Sequence, residues 1–475
     1  MSNRSQRLLR LACLGTLFGF AASSCHKVNN LGDINAAIGT ELEAHTGTGQ
    51  VLVEICQFSF NWEDQNPPRC EGGPITIPDN VNVDLRCIIT DDPHLHTRCA
   101  VHCPGTHVVV ENDASLTLSH EDGIHKRGWV FNNATTTSVV FKGKSLTADA
   151  VVFKNSHKSA IISKKGGDMT FRHCLLKNNY HPGGGGAVRA EKGGVVKVID
   201  TVFRDNSADK FGGAICQQEG HLILQGGHFL DNKVSQFGGA IFFTSEGETG
   251  AKLEANHVAF WSNEAHNHHA TGAGGAIALT VDLFGTSGKG VDYATFTDCK
   301  FGYNLVDAGG AAIFAQGMKE IKVSGTRFEH NDQNTEPGHD HRRELLEGQM
   351  GDGPMPGGGA MYVAGVAGSD TDVEIVRSKF HKNFGEFGGA LFADHSVVSV
   401  QNTGCWQNDA HDFGGCMYFL DSPATIDADS RFWGNNAIEG AGAALAADST
   451  SLMVEDGATF GLHDDIHLLN GATMS

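Results

Sequence analysis

Between residues 130 and 470 the chain alternates apolar and polar positions in short runs. "GHLILQGGHF" (220–229) and "DVEIVRSKF" (372–380) repeat with period two, and no 3.6-residue spacing accompanies them, so these runs predict short strands. Residues 33–44, "DINAAIGTELEA", are different: Ile34, Ala37, Ile38 and Leu42 fall at i, i+3, i+4 and i+8, which predicts an amphipathic helix. The strand-like "VLVEI" follows at Val51, so the helix is placed to cap the exposed end of whatever the strands build.

The strand runs carry a repeated phrase. It reads "FRDN" at Phe203, "FLDN" at Phe229, "FWSN" at Phe260, "FGYN" at Phe301, "FEHN" at Phe328, "FHKN" at Phe380 and "FWGN" at Phe432, with "WQND" at Trp406 taken as a degenerate copy. Glycine words follow at Gly212, Gly238, Gly274, Gly309, Gly357, Gly388 and Gly414, with a decayed "AGAA" at Ala441. Phe203 to Phe229 is 26 residues, and weaker copies begin at Val130, Val152 and Leu175, so the period covers about two thirds of the chain. A period in the mid-twenties holds about three short strands and their turns. The fold class read from this is all-β: a single-stranded right-handed parallel β-helix, or solenoid, of about fourteen to sixteen coils with a short N-terminal capping helix.

Each coil of such a helix lies roughly 4.8 Å above the last, so like must stack on like. The expected columns are an inward ladder of Phe203, Phe229, Phe260, Phe301, Phe328, Phe380 and Phe432, and a polar one of Asn206, Asn232, Asn263, Asn304, Asn331, Asn383 and Asn435. Asn is expected at a left-handed bend, its amide bonding backbone or the next Asn. Gly-Gly supplies positive φ and close backbone approach at another corner, with Ala214 and its counterparts as the small inward residue.

"FxxN" paired with "GGAI" resembles the polymorphic outer membrane protein repeat of chlamydial surface proteins, over about residues 130–445. The resemblance implies a surface-exposed β-helical passenger of the kind linked to adhesion. Those proteins usually run on into a carboxy-terminal autotransporter barrel, and "LLNGATMS" is not the start of one, so an amino-terminal lipid is expected to replace the barrel as anchor.

Composition narrows the partners. The 28 Phe against 5 Tyr and 5 Trp fit stacked interior rings without polar handles, and a net charge of −20 argues against nucleic acid and polyanionic sugars as partners. Residues 1–25 carry Arg4, Arg7 and Arg10, an apolar run and small residues before Cys25, which predicts a secretory signal with a lipobox-like end. Lipidation at Cys25, giving an outer membrane lipoprotein or cell-surface protein, is set against ordinary cleavage that leaves it secreted or periplasmic. Residues 26–125 form the cap helix and cysteine-rich first coils, and 126–475 the repeats. Cys56, Cys70, Cys87, Cys99 and Cys103 read first as disulfides of undeducible pairing with one unpaired, though "CAVHC" with His94, His96 and His102 could ligate zinc.

Two long insertions, "EAHNHHATGA" from Glu264 and the run from Asp332 to Pro356, leave the same corner two coils apart. His266, His268, His269, His339 and His341 are the candidate metal ligands there, with zinc as the fitting ion, against the plain reading of polar loop decoration; no other cofactor is implied. No catalytic residue is assigned, because the stacked Asp205 and Asp231 give way to Ser262, Tyr303, His330 and Lys382 in other coils. The reading is therefore a non-catalytic surface protein for adhesion, recognition or structure, meeting a cell-surface or extracellular protein or glycan. A polysaccharide lyase or glycosidase on the same fold is the rival, as is metal binding through the His-rich loops.

Overall fold

A computed structural model describes residues 25–45, 47, 49–61, 70–88, 99–120, 128–245, 250–266, 272–280, 291–333, 357–366 and 369–475. The chain winds as a right-handed parallel β-helix. Among the described residues its strands form four parallel sheets of 15, 14, 14 and 9 strands. In one coil, Val195–Ile199 belongs to sheet I, Val202–Arg204 to sheet II, Ser207–Ala208 to the short-stranded sheet IV and Ile215–Gln218 to sheet III. The next coil repeats this in register: Leu222 lies beside Val196, Phe229 beside Phe203, Lys233 beside Ser207 and Ile241 beside Ile215. Sheets I to III run unbroken from the cysteine-rich coils into the repeats.

The helix α1, Leu31–Ala44, starts at an Asn30 cap whose side chain accepts from the Asp33 N–H. It lays Leu31, Ile34, Ala37 and Ile38 over the first coil, covering an end that would otherwise expose apolar interior.

The core is a set of columns. Phe203, Phe229, Phe260, Phe301, Phe328 and Phe380 are fully buried, with successive ring centroids 4.7, 4.9, 4.8, 5.0 and 4.8 Å apart. Removing each ring from water contributes about 2–3 kcal/mol before conformational entropy is counted. The column then breaks: the neighbour of Phe380 is Cys405, followed by Phe432, and Trp406 faces outward one residue later. The alignment on Trp406 is therefore off by one residue, because a large aromatic beside the true core position mimicked it. Cys405 instead bonds Cys416, which occupies the small-residue column otherwise filled by Ala390 and Ala444.

The Asn column is also internal. Asn206, Asn232, Asn263, Asn304, Asn331 and Asn383 are buried, and each amide N–H2 donates to the next coil's Asn Oδ1. The same amide donates to the carbonyl of the preceding coil's core residue, Leu176 for Asn206 at 2.9 Å and Phe203 for Asn232 at 3.1 Å. Donation runs one way along the stack, so the last member needs only to accept, and Asp464 fills that place beyond Asn435.

The left-handed bend is not at the Asn. It falls on the residue before it: Asp205, Asp231, Ser262, Tyr303, His330 and Lys382 all have φ between 52° and 55°. Ladder pairing on both sides fixes this conformation against its intrinsic cost, and the Asn side chain is left free to turn inward. At the opposite corner one glycine of each word supplies positive φ, as at Gly212 (55°) and Gly238 (70°), and it is the second of its pair at Gly310 (66°). A Cβ on Gly213, next to Gly212, would run into the Gly239 carbonyl of the next coil.

Candidate functional site

Scaffold columns occupy the interior, so any site lies on the outer faces and corners. Sheet III hides a second aromatic column there. Phe242, Phe314, Tyr362, Phe392 and Tyr418 point away from the interior yet are buried, because Phe237, Phe387 and Phe413, each just before its glycine pair, fold back over them. The sequence carried this as an aromatic five residues after the "FGG" phenylalanine. Burial raises the hydroxyl pKa values of Tyr362 and Tyr418, and Tyr418 donates to Asp448.

The corner bearing both insertions follows sheet IV. Glu264–Ala265 pairs with Leu305–Val306, which pairs with Asp332–Gln333, so the two insertions start two rungs apart, roughly 10 Å. His266 is hydrogen-bonded through Nδ1 to Asp307 one rung on. His268, His269, His339 and His341 lie outside the described residues. Further along the same corner, Glu386, His411 and Asp412 bring one ligand atom each within 4.8 Å of one another. Burial disfavours charge on His411, but the Asp412 hydrogen bond and the charges of Glu386, Asp412 and Glu439 outweigh it and raise its pKa. This set, one imidazole and two carboxylates, suits a divalent cation such as zinc, which would compete with the proton on His411. Sequence reading missed it because Glu386 and His411 come from different coils and fall outside any His-rich stretch.

The cysteines pair as Cys25–Cys56, Cys70–Cys103 and Cys87–Cys99. Cys25 thus supplies the partner that the odd count of five lacked. A sulfur in a disulfide is unavailable for a thioether to lipid, so lipidation of Cys25 and this bond are alternatives. The sulfurs of "CAVHC" are likewise engaged, which removes them as zinc ligands, and His102 bonds Asn132; His94 and His96 lie outside the described residues. Cys174, Cys216 and Cys299 are free but buried, and desolvation pushes their thiols up to about 12, 12 and 11, so they are inert.

For catalysis, Asp205 and Asp231 offer no acid pair free of counterions: Lys177 and Arg204 lie 3.5 and 3.3 Å from Asp205, and Arg204 lies 3.7 Å from Asp231. A groove of about 300 Å³ on the sheet II side is lined by Lys300, Arg327, Arg377 and Lys379 with one carboxylate, Asp298.

Residues 200–218 match the Chlamydia polymorphic membrane protein repeat. The match takes in the Phe203–Asn206 bend and the Gly212–Ala214 turn, the two corners that define a coil, and the β-helix around it is consistent with a protein built from that repeat. No curated protein and no solved structure matches the chain. Among the described residues no helix is long and apolar enough to cross a membrane.

Proposed function

We propose that the chain is a non-catalytic bacterial cell-surface protein whose β-helix displays binding surfaces for an extracellular protein or glycan. The observation that carries this is the repeat itself: its invariant parts all serve the interior and the turns, while the outer positions vary from coil to coil. Variable outer faces on a fixed frame suit recognition. Attachment is through a lipid on Cys25 or, with Cys25 tied to Cys56, by other means. Protease shaving of intact cells tests the reading: tryptic peptides from the outer loops should be released without lysis, and full protection of the chain would overturn it. Mass spectrometry of the mature amino terminus separates acylated Cys25 from the disulfide.

A second reading, cation binding at the insertion corner, draws on Glu386, His411 and Asp412. Isothermal titration with Zn²⁺ should give saturable heat that His411→Ala diminishes; heat unchanged by that substitution removes these residues from the site. The rival of a polysaccharide-cleaving enzyme draws on the basic groove, and release of reducing ends from an acidic polysaccharide by the purified chain would establish it over the non-catalytic reading.

A further inference from the structure

Sheet II and the bend beside it turn two parallel stripes outward. The first is basic: Lys300, Arg327, Lys379 and, past Gly404, Arg431 stand in successive rungs and are all exposed. Like charges directly opposite one another in a sheet are destabilising. On sheet I, Lys322 has acidic neighbours, Glu320 at 2.9 Å and Glu374 at 3.7 Å, and where Lys154, Lys177 and Arg204 stack in earlier rungs of sheet II, Asp205 lies beside Lys177 and Arg204. On sheet II, Arg327 approaches Glu329 at 3.6 Å, but Lys300, Lys379 and Arg431 meet no carboxylate among the described residues. A chain of net charge −20 has carboxylates to spare, so one column that holds three cations without a carboxylate partner stands out against its overall composition.

The second is an aromatic stripe over two adjoining positions, with Trp261, His381, Trp406 and Trp433 on the strands and Tyr303 and His330 at the left-handed bend beside Gly302 and Glu329. Trp261 meets Tyr303 at 5.1 Å, Tyr303 stacks on His330 at 4.7 Å, His381 on Trp406 at 5.1 Å and Trp406 on Trp433 at 5.0 Å. Gly302 leaves room for this, since a Cβ there would strike the Trp261 ring. Most of these rings cover one another's faces, and what such a stack leaves open is ring edge, which is electropositive and carries N–H and O–H donors. Single-stranded nucleic acid needs open ring faces for its bases. A polymer rich in acceptors and negative charge needs donors instead.

We propose that this face is a linear binding site for an acidic polysaccharide. Its carboxylates or sulfates engage Lys300, Arg327, Lys379 and Arg431, and its hydroxyls and ring oxygens meet the edges of the aromatic stripe. A sugar residue advances its chain by about 5 Å, close to the roughly 4.8 Å rung, so successive sugars can address successive coils. The average charge, which argues against polyanions, does not describe this face. The inference gives the ligand class for the surface role proposed above and rests on that reading for where the ligand is met.

The test uses the purified full chain with two probes, heparin for sulfate and polygalacturonate for carboxylate, and dextran as the neutral control. Wild type should bind at least one acidic probe at low salt and not dextran, with affinity falling as salt rises. Lys300→Ala, Arg327→Ala and Lys379→Ala together should lower affinity on the order of tenfold or more and flatten the salt dependence. Lys197→Ala, Lys252→Ala and Lys322→Ala on sheet I should leave it unchanged. Trp406→Ala with Trp433→Ala should weaken binding while keeping the salt dependence. Absence of binding, equal losses in the two lysine and arginine sets, or tighter binding of oligo-dT or polyglutamate would overturn the proposal. Because purified protein is used, a negative result here leaves surface display to be decided by the shaving experiment.

Discussion

Replacing Asn263 by Ala probes the polar column where it is most enclosed. The side chain makes four hydrogen bonds: its amide donates to the Phe229 carbonyl at 3.0 Å and to Asn304 Oδ1 at 3.0 Å, and its Oδ1 accepts from the Asn232 N–H at 3.2 Å and the Asn232 amide at 2.9 Å. Asn304 Oδ1 keeps its bond from the Asn263 N–H, and the Asn232 amide keeps its bond to Phe203. Three buried groups are then left short of a partner: the Phe229 carbonyl, the Asn232 N–H and one Asn232 amide hydrogen. At about 1–3 kcal/mol each the gross cost is about 3–9 kcal/mol, and entry of water at the corner brings the expected loss to about 3–5 kcal/mol. Urea unfolding followed by circular dichroism measures it, and hydrogen exchange should show faster opening in the coils around residues 229–306. Asn263→Asp retains both acceptor bonds and should fall between Ala and wild type. A loss below about 1 kcal/mol for Asn263→Ala would refute the claim that the amide ladder holds neighbouring coils together.

Phe229→Ala removes a fully buried ring stacked between Phe203 and Phe260 and should cost about 3–5 kcal/mol by the same unfolding assay. Gly238→Ala forces a side chain onto φ 70° and against the Ile241 carbonyl, so a loss of about 2–4 kcal/mol is expected, whereas Lys382→Gly at an exposed left-handed position should not destabilise. His107 is buried, bonded to Ser138 and the Cys103 carbonyl, and desolvation lowers its pKa from 6.5 to about 4. The unfolded state therefore binds the extra proton between those values, so the neutral ring's contribution is full above pH 6.5 and about 3 kcal/mol is lost as pH falls to about 4. His107→Gln should flatten that part of the stability profile measured between pH 7 and 4; an unchanged slope would assign it to other groups.

The legible parts of this fold were those in which side-chain identity repeats with the coil. Phe203 and Phe229 share a column because register stacks like on like, and a fixed spacing in sequence becomes contact in space. Backbone conformation leaves no such mark: the left-handed position holds Asp, Ser, Tyr, His and Lys in different coils, since pairing on either side and not the side chain sets its φ. Cys405 was hidden for a related reason, because a disulfide to Cys416 replaces the packing of an aromatic ring while the adjacent Trp406 looks like the missing residue. The outer aromatic column of sheet III left a signal inside the repeat, an aromatic five residues after the "FGG" phenylalanine, whereas the Glu386, His411 and Asp412 set is assembled from two coils and leaves none within a single repeat.

The central claim is vertical register, and a distance across several coils tests it most directly. His221 and Val397 are exposed on sheet I and joined in one column through Lys252, Tyr293, Glu320 and Asp372, five rungs in all. Spin labels at His221→Cys and Val397→Cys, with the buried native thiols unreactive, should give a narrow electron–electron distance distribution centred at about 24 Å, broadened by the label tethers. A broad distribution, or one centred beyond about 40 Å, would contradict the stacked coils and every column built on them.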